Sequence, residues 1–124
     1  MSKRPLIAVV DDDESVRESL PDLLRELGYE PRAFSSADEF LGSDSVNQAH
    51  CLIVDVAMPG RSGPELQQEL AVRRPDLPVV FITAHRDETL RFRLLGRGAI
   101  ACLYKPFSES DLLKGIQTAL GTSS

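Results

Sequence analysis

The sequence predicts an α/β fold: a doubly wound sheet of five parallel strands in the order 2-1-3-4-5, with helices on both faces. Three observations carry this. Short apolar runs alternate with helix-period segments from one end of the chain to the other, the pattern of a parallel sheet joined by right-handed helical crossovers. The runs are apolar throughout rather than at every second residue, as strands buried on both faces are. Acidic, hydroxyl and basic residues stand where several of these runs end, the edge at which open α/β sheets bind ligands.

The first strand is Leu6-Ile7-Ala8-Val9-Val10, closed by Asp11-Asp12-Asp13-Glu14. Val16, Leu20, Leu23, Leu24 and Leu27 then recur on one helical face. Gly28 stands at its C-terminal end, and Pro21 inside it predicts a kink. Residues 30–34 make a weaker strand suited to an edge. Ser36-Ala37-Asp38-Glu39 is a capping-box sequence that opens a short helix ending near Leu41. Residues 42–50 are polar and read as loop. Cys51-Leu52-Ile53-Val54-Asp55 is the next buried strand, with an acid at its end. Ser62-Gly63-Pro64-Glu65 opens a helix carrying Leu66 and Leu70. Residues 79–83 form another buried strand, and a fourth helix runs through Leu90 and Leu94 to about Gly96. The last strand spans 99–104, before Lys105-Pro106. Ser108 caps a fifth helix bearing Leu112, Leu113, Ile116, Ala119 and Leu120.

The 124 residues suit one domain, 42% hydrophobic and 27% charged. Residues 121–124 are a candidate linker stub to a further domain. No apolar run approaches the ~20 residues of a membrane span, and the N-terminal apolar stretch is too short for a signal peptide. A cytoplasmic location is therefore expected. The net charge of −5 argues against direct nucleic-acid binding by this domain, which needs a basic face. Cys51 and Cys102 have no metal-ligand spacing and read as reduced, buried thiols on strands too far apart to pair.

With the expected strand order, the first and third strands are neighbours about 4.8 Å apart. Asp11, Asp12 and Asp55 then share one pocket. At ~5 Å and an effective dielectric near 20, each carboxylate pair costs about 3 kcal/mol, a large share of a domain's stability of about 5–15 kcal/mol. A hard divalent cation relieves that repulsion, and carboxylate oxygens with water suit Mg²⁺. Lys105 adds a cation on the opposite side and Thr83 a hydroxyl. One carboxylate is then a candidate nucleophile for an aspartyl-phosphate, with the cations offsetting charge on the transferring phosphoryl oxygens.

These residues resemble a known family. Val9-Val10-Asp11-Asp12-Asp13, Asp55-Val56-Ala57-Met58-Pro59-Gly60-Arg61-Ser62-Gly63, Phe81-Ile82-Thr83-Ala84, Gly98-Ala99 and Lys105-Pro106-Phe107 match, in order, the receiver domain of bacterial two-component response regulators. Asp12-Asp13-Glu14-Ser15-Val16-Arg17 and Phe34-Ser35-Ser36-Ala37 are most similar to the FixJ-type regulators, which carry LuxR/NarL-like output domains. The resemblance implies a CheY-like, flavodoxin-like fold and assigns roles. Asp55 is the phosphoacceptor, Thr83 the switch hydroxyl and Lys105 the phosphoryl-pairing lysine. Asp11, Asp12, Asp55 and the backbone carbonyl of Ala57 are the Mg²⁺ ligands. It implies a cis Lys105-Pro106 bond, a sensor histidine kinase as phosphoryl donor, and no catalysis beyond the domain's own phosphorylation and dephosphorylation. The family's usual aromatic three positions before the lysine is replaced here by Cys102, and Tyr104 is the aromatic on the same strand face.

Other readings of single residues stand beside these. Asp11 and Asp12 suit helix capping, a task open equally to Asp13 and Glu14. Thr83 suits a structural cap and Lys105 a solvated loop. His85 falls near the pocket mouth; His50 has no evident partner. Arg86, Arg91, Arg93 and Arg97 concentrate charge around the fourth helix, either a solvated face or a contact surface. A phosphorylation-dependent homodimer through the fourth helix, fifth strand and fifth helix is one expectation. Two other functions remain to be weighed. One is an enzyme of the haloacid-dehalogenase type, with Asp11 of Asp11-x-Asp13-x-Ser15 as nucleophile. The other is an unphosphorylated docking module, which would lack one of the acids or the lysine.

Overall fold

A computed structural model describes residues 4–121. The strands are β1 (Leu6–Val10), β2 (Glu30–Phe34), β3 (Cys51–Asp55), β4 (Val79–Thr83) and β5 (Ala101–Tyr104). The helices are α1 (Glu14–Glu26), α2 (Ala37–Leu41), α3 (Ser45–Gln48), α4 (Gly63–Arg73), α5 (Glu88–Gly96) and α6 (Glu109–Ala119). All strand pairings are parallel, in the order β2-β1-β3-β4-β5. The expected architecture is therefore the observed one, with β2 at an edge.

Alternation along each strand divides the core. Ala8, Val10, Leu52, Val54 and Phe81 face α2 to α5 and meet Phe40, Val46, Leu66, Leu70 and Leu94. Ile7, Val9, Ile53, Val80 and Ile82 face the other way, onto Leu20 and Leu24 of α1 and Leu112 and Ile116 of α6. β1, β3 and β4 are buried on both faces, which is why their sequences are unbroken apolar runs. Cys51 lies in one of these layers and Cys102 in the other, and both are free thiols.

Local chemistry sets the helix limits. Asp13 caps α1 by accepting from the Ser15 amide. The helix continues through Pro21, which is buried along with Leu20 and Leu24; the proline does not end the element. Gly28 follows with φ 98°, a turn that a side chain would resist. Ser62 and Glu65 form a complete capping box on α4. At α2, Ser36 accepts from the Glu39 amide, but the Glu39 carboxylate reaches back one residue further, to the Ser35 amide.

Three expectations need correction. The segment 42–50 is not all loop: α3 occupies its centre, where Val46 reaches the core. This helix has only four residues, and Asp44 ahead of it makes no side-chain cap bond. The last strand starts at Ala101, not Ala99, because the Ala99 amide is committed to the Leu94 carbonyl and closes α5. His50 does have a partner: its Nδ1 accepts the Leu6 amide at 3.0 Å. Of the candidate linker 121–124, residues 122–124 lie outside the described residues.

Candidate functional site

The C-terminal ends of β1, β3, β4 and β5 bring every sequence-predicted site residue together. Asp11, Asp12, Asp55, Ala57, Thr83 and Lys105 line one small cavity of about 190 Å³, with Asp13, Ala84 and His85. Asp11 follows β1 and is fully buried, Asp55 ends β3 at 7% exposure, and Thr83 ends β4 at 3%. Asp12 is exposed. One carboxylate oxygen from each of Asp11, Asp12 and Asp55 lies within 4.8 Å of the others. This all-oxygen, all-anionic donor set fits a hard divalent cation that keeps some of its waters.

Lys105 sits inside the acid cluster rather than opposite it. Its Nζ lies 2.9 Å from Asp11 Oδ2 and 3.2 Å from Asp55 Oδ1. Its backbone is held as well: the Lys105 amide donates to the Thr83 carbonyl at 2.8 Å, and the Lys105-Pro106 bond is cis. Asp11 Oδ1 accepts the Asp13 amide at 2.9 Å. Thr83 Oγ1 accepts the His85 amide at 3.1 Å, which leaves its hydroxyl proton available. Helix capping falls to Asp13, so Asp11 and Asp12 are not needed for it.

One ammonium among three carboxylates leaves the charge unbalanced, and Asp55 and Lys105 respond to it in different ways. Burial, then the charge of Asp11, push the Asp55 carboxyl above its ordinary range, against the opposing pull of Lys105. For Lys105, burial acts to lower the pKa, but the hydrogen bond and charge of Asp11 and the charge of Asp55 outweigh it, and the net shift is upward. The cation gains from having two anions. Asp55 loses because it shares that cation while facing two anions of its own.

Near the pocket, Tyr104 pairs in register with Thr83. Its hydroxyl donates to the Glu88 carboxylate, and the Arg86 guanidinium lies 4.9 Å from the ring centroid. The bond to Glu88 pushes the phenol up to about 12. Cys102 is buried beneath α5. Arg91 Nε donates to the Cys102 carbonyl at 3.3 Å. Two contributors were missed in the sequence. Arg17 donates to the Asp11 carbonyl at 3.0 Å, and no short motif signals a bond of that kind. Gly63 lies so close to the loop after β3 that a Cβ there would collide with the Asp55 carbonyl oxygen and sit 3.1 Å from Val56 Cα.

A family model described as "Response regulator receiver domain" matches residues 7–117. The chain belongs to this family. The receiver is 42% identical over 115 residues to the response regulator protein TmoT of Ectopseudomonas mendocina, covering 93% of this chain and 52% of that one. It is 37% identical over 117 residues to the transcriptional regulatory protein FixJ of Azorhizobium caulinodans, covering 94% and 56%. Among solved structures, the response regulator StyR superposes with a TM-score of 0.86 at 45% identity, over 96% of the receiver and 60% of that chain. The receiver thus spans about half the length of the curated relatives it matches. The FixJ-type resemblance is supported by these relatives, and the family's role is signalling.

Proposed function

We propose that Asp55 accepts a phosphoryl group from a sensor kinase's phosphohistidine, with Mg²⁺ held by Asp11, Asp12, Asp55 and the Ala57 carbonyl. The observation that supports this most directly is the cluster itself: three carboxylates at one sheet edge, with a single ammonium bridging two of them. An Asp55 carboxylate oxygen attacks phosphorus, the P–N bond breaks, and its electron pair returns to the imidazole nitrogen, which takes up a proton. The bound metal supplies positive charge that offsets the phosphoryl oxygens. Lys105, already at 3.2 Å from Asp55, turns to the same oxygens, and the Thr83 hydroxyl donates to them.

The same reading includes partners. Relatives about twice as long, some of them transcriptional regulators by name, support an output domain beyond Ser124 that carries any DNA contact. The kinase and the receiver would meet in the cytoplasm; no helix among the described residues is long and apolar enough to cross a membrane. Phosphorylation would favour a homodimer through α5, β5 and α6, where Tyr104 and Arg86 lie.

Incubation with Mg²⁺ and acetyl phosphate, followed by intact mass measurement, tests the acceptor. The native chain should gain one phosphoryl group and Asp55→Asn none. Equal labelling of both would overturn the assignment. Sedimentation of the same labelled sample should show the dimer, and an unchanged monomer would remove that part of the reading.

A further inference from the structure

The first turns of a helix disfavour a cation, because unpaired amides concentrate partial positive charge there. α1 follows this rule with Asp13 and Glu14, and then places Arg17 four residues after its N-cap. Asp13, Glu14 and Glu18 are close in sequence, yet the half-buried guanidinium forms no ion pair with any of them. Its Nη1 instead donates to the neutral carbonyl of Asp11 at 3.0 Å. A local preference broken in this way is typical of a functional site.

What the bond holds is a peptide plane. The Asp11 carbonyl and the Asp12 amide belong to one rigid unit, so fixing the first fixes the second. The next plane, between Asp12 and Asp13, is fixed by the Asp13 amide bonding to Asp11 Oδ1 at 2.9 Å. Asp11 itself is secured further by its amide on the Phe34 carbonyl and its Oδ2 on Lys105. Asp12 is different. It is exposed, and its carboxylate makes no hydrogen bond or ion pair among the described residues. The direction in which it leaves the chain therefore depends on the two planes that flank it, and Arg17 holds one of them.

We propose that Arg17 is a positioning residue for the cation site: by clamping the Asp11 carbonyl it aims the unpartnered Asp12 carboxylate into the pocket. This rests on the reading of the pocket as a Mg²⁺ site. A positioning role and a charge effect predict opposite signs. Removing a nearby cation would by itself tighten Mg²⁺ binding, whereas losing the clamp would weaken it.

The test measures Mg²⁺ affinity by titration calorimetry on the native chain, Arg17→Met and Arg17→Lys, with the urea stability of each metal-free form measured in parallel. Methionine keeps the aliphatic stem and removes both donor and charge; lysine restores a charged donor. The expected result is a dissociation constant raised about tenfold or more in Arg17→Met, the usual scale for a residue that supports a metal ligand, and largely restored in Arg17→Lys. Native affinity in Arg17→Met, even with lower stability, would reduce Arg17 to a structural role and overturn the inference. Tighter binding would overturn it in favour of charge alone. If the native chain itself binds no Mg²⁺, the functional reading fails first and this inference with it.

Discussion

Replacing Lys105 by methionine should make the metal-free domain less stable and its grip on Mg²⁺ stronger. The ammonium lies 2.9 Å from Asp11 Oδ2 and 3.2 Å from Asp55 Oδ1, with the lysine side chain only 20% exposed. A metal that uses either oxygen has to displace it. A hydrogen bond between charged groups contributes about 1.5–3 kcal/mol. Removing the competitor should therefore tighten Mg²⁺ binding by about tenfold to a hundredfold, at about 1.4 kcal/mol for each factor of ten. Without metal, the same change leaves three carboxylates with no cation among them. Breaking a buried pair in this way costs about 3–5 kcal/mol, within reach of a domain stable by about 5–15 kcal/mol. Urea unfolding at neutral pH over a series of MgCl₂ concentrations measures both effects, since bound ligand adds RT ln(1 + [L]/Kd) to the stability. The variant should start lower and climb more steeply. Equal metal-free stability would show that the bridge contributes nothing, and equal or weaker Mg²⁺ affinity would refute competition between lysine and metal.

Two further outcomes follow from the same geometry. Gly63→Ala should destabilise the domain by about 1–3 kcal/mol, the usual cost of overpacking, because the added methyl meets the Asp55 carbonyl oxygen, the backbone of Val56 and the fully buried ring of Phe81. Unfolding in urea reads the loss, and a neutral substitution would show that the loop after β3 can move away freely. Asp55 has a raised pKa in the folded protein, so the folded state holds its proton more tightly than the unfolded chain does. As pH rises from 3.8 through the folded value, this group subtracts stability, and above that value the whole penalty is present. Asp55→Asn should remove this decline and raise the melting temperature near neutral pH in the presence of a chelator. A variant less stable than the native chain at neutral pH would contradict this.

Much of this molecule is legible in its sequence for identifiable reasons. β1, β3 and β4 are buried on both faces, so their ends coincide with the ends of the apolar runs. The acids, the threonine and the lysine were placed by strand order alone, since the end of a parallel strand puts its last residues at one edge of the sheet. What the sequence concealed depends on distances between remote residues. The His50 bond to Leu6 spans 44 positions and has no periodic signature. α3 is too short and polar to show a helical period. The place of Lys105 between Asp11 and Asp55, rather than across from them, depends on the path of its side chain, which no pattern of residue types encodes. For the same reason Cys102 reads as a missing aromatic, while the link among Tyr104, Glu88 and Arg86 appears only once β5 lies beside α5.

The edge strand β2 has a bearing on how copies of this domain can meet. The Glu30 amide points inward to the Pro5 carbonyl, and the Phe34 carbonyl points inward to the Asp11 amide. By alternation, Pro31 and Ala33 turn their backbones outward, away from β1. Proline has no amide hydrogen, so one of those two outward positions has nothing to donate to an incoming strand. The charged side chains of Glu30 and Arg32 are exposed on either side of it. An open row of backbone donors invites strand-to-strand polymerisation, and this one is interrupted at its second residue. Backbone pairing of copies through β2 is thereby disfavoured, and that edge is left to side chains, which, unlike a backbone ladder, can distinguish one partner from another.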